Sequence, residues 1–178
     1  MATFVALLRA VNVAGHQSVG MADLRDLLTQ MGFEDARSLL QSGNLLFRGE
    51  GKTTGALERL LEAGARKRLG LDTDIVVRST KEWSTVVAAN PFRKEAERDP
   101  GRLVVMFLKS PAVAKSVSAL QAAITGPEVV RGEGKHLYIV YPNGQGRSRL
   151  TNKLMETKLG TSGTARNWNT VMKVAALL

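Results

Sequence analysis

Cysteine is absent from the 178 residues, and histidine occurs only twice. The absence of thiols excludes disulfides, iron–sulfur clusters, cysteine zinc sites and cysteine nucleophiles, so the composition fits a reducing compartment. A cytoplasmic location is therefore predicted. The histidines, His16 and His136, form no spacing typical of a metal site or a catalytic triad. Neither a metal nor a cofactor is predicted.

Long apolar runs are also missing. No segment approaches the roughly 18 to 20 consecutive apolar residues of a membrane span. The first apolar run, from Phe4, has no basic segment before it, so no signal peptide is predicted. Hydrophobic residues make up 44% and charged residues 23%, which is typical of a globular protein with one domain or two small ones. The oligomeric state is left open.

Acidic residues are scarce in the last part of a strongly basic chain. The net charge is +9, and residues 131–178 hold eight Lys or Arg against two Asp or Glu. This excess favours anionic partners such as nucleic acid or phosphate. A solvated face that keeps the protein soluble is the alternative interpretation.

Residues 1–78 carry the pattern of a β-α-β-β-α-β unit. Apolar runs predict strands, apolar residues at helical spacing predict helices, and the polar segment 41–44 predicts a hairpin turn. The predicted strands are 4–8, 36–40, 44–48 and 74–78, and the predicted helices are 21–31 and 54–69. This order is that of the ferredoxin-like fold.

Residues 102–178 repeat much of this pattern. The predicted strands are 102–108, 128–131 and 136–141, and the predicted helices are 111–124, 149–159 and 165–177. A turn at 132–134 joins the last two strands, and no closing strand is predicted before the final helix. The expected fold is α+β, with two tandem ferredoxin-like units joined by a helical linker and loop at 79–101.

Polar residues follow the first predicted strand and form the turn of the first hairpin. These residues are Arg9, Asn12, Gln41, Ser42 and Asn44. In a split β-α-β unit the first and third strands are antiparallel neighbours, so these side chains are expected at one sheet edge, facing one crevice. The alternative is that the turn residues only shape the turn and Arg9 only ends a strand.

A second polar cluster lies at the start of the predicted last helix. It contains Arg166, Asn167, Trp168 and Asn169. Free backbone N–H groups and the positive end of a helix dipole favour an anion there, and an indole ring can stack on a base or a sugar. The alternative is that a residue at 162 or 164 caps the helix and that the tryptophan packs on a sheet.

These motifs together resemble the domain-of-unknown-function 1697 family. The segments that carry the resemblance are FVALLRAVNVAG at 4–15, MADLR at 21–25, Gly32-Phe33, LQSGN at 40–44, Asn90-Pro91-Phe92 and TARNWNT at 164–170. The resemblance implies a bacterial cytoplasmic protein of this size with two ferredoxin-like repeats. It draws attention to both polar clusters and supplies no role for them.

A nucleic-acid surface is the weaker expectation. Tyr138 and Tyr141 fall on opposite faces of one predicted strand, so they cannot form a single stacking platform for RNA. Any nucleic acid would have to use basic residues near the carboxyl end. The candidates are Arg147, Arg149, Lys153, Lys158 and Lys173, together with Arg166 and Trp168.

The favoured function is a binding protein for an anionic ligand, either nucleic acid or a phosphorylated small molecule, held in a crevice where the two polar clusters meet. The first alternative is a metal-independent enzyme acting on a carboxylate- or phosphate-bearing substrate. That reading lacks a general base within the clusters. The second alternative is a protein-interaction scaffold, which an exposed apolar patch would indicate.

Overall fold

The computed structural model describes residues 1–9 and 18–178. The chain divides into two compact units, Met1–Ser84 with the terminal Leu178, and Thr85–Leu177. Both units combine helices with antiparallel sheets, so the predicted α+β class is confirmed. Asn12 was predicted as a ligand-binding residue and lies outside the described residues.

The first unit has the predicted order of elements. Its strands are β1 (Ala2–Leu8), β2 (Glu34–Leu39), β3 (Asn44–Gly49) and β4 (Ile75–Ser79), and its helices are α1 (Met21–Gln30) and α2 (Thr54–Leu69). The strands form an antiparallel sheet in the order β2-β3-β1-β4. A further helix, α3 (Thr80–Ala88), follows β4 and crosses the division between the units.

The core of the first unit lies between the sheet and helices α1 and α2. Alternate residues of β1, such as Phe4 and Ala6, pack with leucines that recur at helical spacing on the two helices. The intervening residues Val5 and Leu7 are buried as well. Strand β1 is therefore buried on both faces, as its continuous apolar run predicted.

Strand β4 ends the sheet, and carboxylates occupy its outward amides. The N–H groups of Ile75, Val77 and Ser79 donate to Glu62, Glu58 and Glu82 over 2.9, 2.9 and 2.8 Å. Two of these glutamates lie on α2 and the third on α3. Side chains thus satisfy donors that a fifth strand would otherwise pair.

The second unit is built on a three-stranded sheet. Its strands are β5 (Leu103–Ala112), β6 (Val129–Val140) and β7 (Gly163–Asn167), in the order β6-β5-β7. Its helices are α4 (Arg93–Arg98), α5 (Ala114–Ala123), α6 (Asn152–Leu159) and α7 (Trp168–Ala175). Residues of β5, β6 and β7 form an apolar core with α5 and α6.

The prediction that the second unit lacks its last strand is wrong. Residues 163–167 form β7, which pairs antiparallel with β5 from Val104↔Asn167 to Leu108↔Gly163. The predicted final helix therefore begins at Trp168 instead of residue 165. Backbone pairing with β5 holds this segment extended although arginine and asparagine are not typical strand formers.

The predicted hairpin at 128–141 is supported, because the chain reverses within β6. A Cβ atom at Gly132 would lie 2.8 Å from the His136 carbonyl oxygen and 3.5 Å from Leu137 Cα, whereas residues four apart in an extended strand are about 13 Å apart. Gly132 and Gly134 have positive φ angles of 109° and 74°, and the β5–β6 register shifts between Phe107 and Ala112. These glycines lie at the predicted turn, where their positive φ angles allow the chain to reverse. Strand β5 continues past Pro111, where a helix was predicted to begin, and α4 replaces part of a predicted loop.

Candidate functional site

The structure brings the end of β1 next to the predicted turn in the first unit. Leu7 lies opposite Asn44 in the β1–β3 register, and the Leu8 amide donates to the Gly43 carbonyl over 2.9 Å. Arg9 follows directly, and its amide donates to the Asp74 carbonyl over 3.0 Å. The backbone placement predicted for this sheet edge is therefore present.

Within this turn, the buried side-chain amide of Asn44 forms hydrogen bonds to neighbouring residues. Its Nδ2 donates to the Leu39 carbonyl over 2.9 Å and to Ser42 Oγ over 3.0 Å. Leu40 and Gly43 take positive φ angles of 61° and 74°. These contacts shape the turn and favour the structural interpretation for Asn44. Gln41 and Ser42 are exposed, and their ligand role stays a prediction.

The second predicted cluster is distributed over β7 and α7. Arg166 lies on the strand, Asn167 caps the helix by accepting from the Thr170 amide over 3.0 Å, and Trp168 is the first helical residue. Trp168 is only 7% exposed, which favours core packing over stacking on a base. Asn169 is exposed.

The Arg166 guanidinium is buried and bonded to its own strand. Its Nη1 donates to Thr164 Oγ1 over 2.7 Å and to the Ala165 carbonyl over 2.8 Å. Burial lowers the pKa of Arg166 to about 10, because the charged form loses hydration. Arg166 lies before the helix and not in its first turn, so the predicted anion site at the helix start loses its cation. The joint crevice predicted from both clusters stays a prediction.

Apart from the buried Arg166, the basic residues proposed for nucleic acid are exposed. They are Arg147, Arg149, Lys153, Lys158 and Lys173. Lys153 and Lys158 lie on α6, and Lys173 lies on α7. This surface stays a prediction.

Two adjoining cavities open in the second unit, where the sequence predicted no ligand. The first has a volume of about 320 Å³ and lies between the end of α3 and strand β6. The second, about 540 Å³, lies against residues 90–95 and the start of β6. Pro91 and Arg131 line both cavities. Each volume is within the range of small-molecule sites. The pair is called the β6 groove below.

The turn at residues 90–92 forms one wall of the β6 groove. Asn90 is buried, and its Oδ1 accepts a hydrogen bond from the Phe92 amide over 2.9 Å. This Asx turn buries the Phe92 ring and starts α4, which leaves Arg93 and Lys94 exposed at the second cavity. The segment was one of those that carried the family resemblance.

Arg131 stands at the junction of the two cavities. Its guanidinium carbon lies 5.3 Å from the centroid of the Phe92 ring, within the range of a cation–π contact. The side chain is otherwise exposed. An arginine stacked in this way keeps the N–H groups at its edge directed sideways, where they can meet a carboxylate or a phosphate.

Strand β6 supplies the opposite wall. Tyr138 Oη donates to the Val86 carbonyl over 2.6 Å, which links β6 to α3. Burial raises the pKa of Tyr138 to about 12, so its hydroxyl stays neutral. The His136 ring meets Phe107 edge-on, with centroids 5.7 Å apart. His136 and Tyr138 are two residues apart and therefore share a face of the strand.

In this wall, Gly132 lies close to the backbone of His136. Its φ angle is 109°, and a Cβ atom there would lie 2.8 Å from the His136 carbonyl oxygen. Only glycine combines this conformation with this approach.

The second cavity is positively charged. Among the described residues that line it, three are cationic, Arg93, Lys94 and Arg131, and one is a carboxylate, Glu95. The arrangement can therefore attract and hold an anion.

The fold is shared with a solved bacterial structure. The conserved bacterial protein SP0830 from Streptococcus pneumoniae matches with a TM-score of 0.77 and 21% sequence identity, over 99% of this chain and 98% of that one. At this identity the match shows a common fold. No helix among the described residues is long and apolar enough to cross a membrane.

The chain belongs to the family described as "Protein of unknown function (DUF1697)", whose profile matches residues 1–138. The predicted family resemblance is therefore confirmed. Among curated proteins, no sequence matches the chain significantly. All residues that line the β6 groove fall within the matched part, whereas the predicted cluster at 166–169 lies beyond it.

Proposed function

We propose that this protein binds a small anionic molecule, one that carries a phosphate or a carboxylate, in the β6 groove. The observation that carries the proposal is Arg131, which is stacked on Phe92 at the junction of two cavities. A guanidinium held in place before the ligand arrives loses less conformational entropy on binding than a free side chain.

Charge supports the same ligand class. Arg93 and Lys94 lie at the same cavity as Arg131, and the whole chain carries a net charge of +9. The local cations bind the anion, and the overall field raises the rate of encounter. Arginine can also form paired hydrogen bonds to carboxylate or phosphate oxygens.

The geometry favours a phosphorylated small molecule over nucleic acid. The cations of the groove surround a cavity of about 540 Å³, which suits one small ligand. The exposed basic residues near the carboxyl end are spread over α6, α7 and the segment before α6. The aromatic residue predicted to accompany them, Trp168, is buried. A single-stranded nucleic acid usually requires accessible aromatic rings beside such charges.

The test is a titration of inorganic phosphate followed by NMR shifts of the backbone amides. We expect the shifts to concentrate at Arg93, Lys94 and Arg131. Arg131→Ala should weaken binding about 10- to 100-fold, since a charged hydrogen bond contributes about 1.5–3 kcal/mol. Arg131→Lys keeps the positive charge but loses the planar guanidinium. Its phosphate affinity should lie between those of the unchanged protein and Arg131→Ala.

Arg147→Ala is the matched control, because it removes the same charge from an exposed position outside the groove. It should change affinity less than twofold. Equal losses in Arg147→Ala and Arg131→Ala would show that net charge, and not the groove, attracts the ion. Salt-sensitive binding of single-stranded RNA that depends on Arg149 and Lys153 but not on Arg131 would favour a nucleic-acid function.

The enzyme alternative has one observation in its favour. His136 lines the first cavity, and imidazole is a common general base. Turnover of a phosphomonoester that His136→Gln abolishes, with binding retained, would establish this alternative.

We also propose that both units follow one ferredoxin-like plan and that the protein works in the bacterial cytoplasm. The shared order of strands and helices supports the first point. The lack of cysteine supports the second.

A further inference from the structure

We infer that the ligand of the β6 groove has two parts, a flat ring that fills the first cavity and a phosphate that binds in the second. This inference rests on the proposed function and names the class of ligand. A mononucleotide is the simplest member of that class.

The two cavities differ in what lines them. The first is lined mainly by Val86, Ala89, Pro91, Gly132 and Tyr138, with Thr85 and His136 as neutral polar groups and Arg131 at the junction with the second. The second contains the cations Arg93, Lys94 and Arg131. An apolar compartment beside a basic one favours a ligand with an apolar part and an anionic part.

A ring suits the first cavity better than an alkyl chain does. Pro91, His136 and Tyr138 all contribute rings to its lining, and rings pack well on flat faces. Hydrogen-bonding groups are present too. The Thr85 hydroxyl and the His136 imidazole can meet the heteroatoms of a base, which a plain alkyl chain does not have.

Arg131 joins the two halves of the site. It lines both cavities, with its guanidinium over Phe92. From this position its N–H groups can bind a phosphate on one side, while its planar face can contact a ring on the other. A ligand that spans the junction can therefore contact Arg131 with both its phosphate and its ring.

The experiment compares adenosine 5′-monophosphate, inorganic phosphate and adenosine on the full chain. We expect the mononucleotide to bind at least about tenfold more tightly than inorganic phosphate, because burial of a ring adds to the phosphate contacts. Adenosine should bind more weakly than the mononucleotide, and its amide shifts should concentrate at Thr85, His136 and Tyr138.

Ala89→Leu tests the first cavity directly, since the longer side chain would occupy the space of the ring. The position is exposed, and its amide already bonds to the Thr85 carbonyl over 2.9 Å, so the backbone can remain unchanged. Ala88→Leu is the matched control, because Ala88 is the neighbouring exposed alanine at the end of α3 and does not line either cavity.

Ala89→Leu should reduce mononucleotide affinity to that of inorganic phosphate and leave phosphate binding unchanged, whereas Ala88→Leu should alter neither. Phosphate binding with no gain from the ring, or equal effects of the two leucines, would overturn the two-part ligand and leave the proposed anion site standing. Failure of inorganic phosphate to bind at all would overturn the proposed function itself.

Discussion

Arg78 and Arg166 occupy equivalent positions in the two units. Each lies on the strand that ends its sheet, opposite a valine of the first strand, Val5 for Arg78 and Val105 for Arg166. Each donates from Nη1 to the carbonyl oxygen of the residue before it, over 2.8 Å in both cases. Burial lowers the pKa of both guanidinium groups. The units thus share a detail of side-chain geometry as well as an order of elements.

The first prediction concerns the buried partner of Arg78. Glu58 Oε1 lies 3.5 Å from Arg78 Nη1 and accepts from the Val77 amide over 2.9 Å. Glu58→Ala should lower the free energy of unfolding by about 3 kcal/mol, because it leaves a buried charge without this carboxylate. Glu58→Gln should cost less, since its amide oxygen still accepts from Val77. Urea unfolding measures both.

An exposed ion pair provides the control for Glu58. Arg66 and Asp72 are 2.7 Å apart, with side chains 69% and 73% exposed. Asp72→Asn should leave the urea midpoint unchanged, since solvent screens such pairs. If Glu58→Ala and Asp72→Asn behaved alike, the buried pair would contribute nothing special to stability.

The second prediction concerns alkaline pH. The chain has two tyrosines, and burial raises the pKa of both Tyr138, to about 12, and Tyr141. Between pH 10 and 12 the unfolded chain loses these phenolic protons while the folded chain keeps them, so both tyrosines lower stability as pH rises there. Arg166 has the opposite effect on stability in this range, because its lowered pKa makes the folded chain lose that proton before the unfolded chain does.

Absorbance at 295 nm separates the tyrosines from other groups. The folded protein should show little tyrosinate at pH 10.5, whereas the protein in concentrated guanidinium chloride should titrate near pH 10. Tyr138→Phe should remove about half of the absorbance change that appears on alkaline unfolding. A native titration curve equal to the denatured one would contradict the burial of both rings.

The third prediction concerns the first hairpin. Asn44 is fully buried and donates to the Leu39 carbonyl and to Ser42 Oγ. Asn44→Ala should cost about 1–3 kcal/mol, since it removes the donor of a buried carbonyl. Asn44→Asp should cost at least as much, because a carboxylate cannot donate. Gln41→Ala, at an exposed position of the same turn, is the control in urea unfolding and should have little effect.

The fourth prediction concerns Gly132 in the wall of the β6 groove. Gly132→Ala should destabilise the protein by more than about 1 kcal/mol, because its φ is 109° and the new Cβ would press on the His136 carbonyl. Gly146→Ala is the control, since its Cβ would meet nothing within 4 Å. Thermal unfolding compares the two. Equal melting temperatures would show that this turn tolerates a side chain.

Much of the first unit could be predicted because its signals are local. The apolar residues of α1 and α2 recur at helical spacing, and both observed helices agree closely with the predicted ranges. The antiparallel pairing of β1 with β3 then follows from the fold plan. It placed the turn at 41–44 beside the end of β1, where the Leu8 amide meets Gly43.

The second unit could be predicted less well because its strands depend on neighbours. Residues 163–167 include glycine, arginine and asparagine, and only their pairing with β5 makes them a strand. The β6 groove joins residues 85–95 to residues 129–138, and no local pattern shows that proximity. The available signals were Asn90-Pro91-Phe92 and the glycines at 132 and 134.

The glutamates along β4 affect whether other chains can pair with this edge of the sheet. An unpaired sheet edge recruits other chains by offering donors to their carbonyl groups, and here the donors of Ile75, Val77 and Ser79 are already taken. An approaching peptide meets carboxylate oxygens instead, which repel its own acceptors. The glutamates of α2 and α3 thus oppose the addition of another strand at this edge, because they occupy the β4 amides and repel the carbonyl groups of an incoming chain.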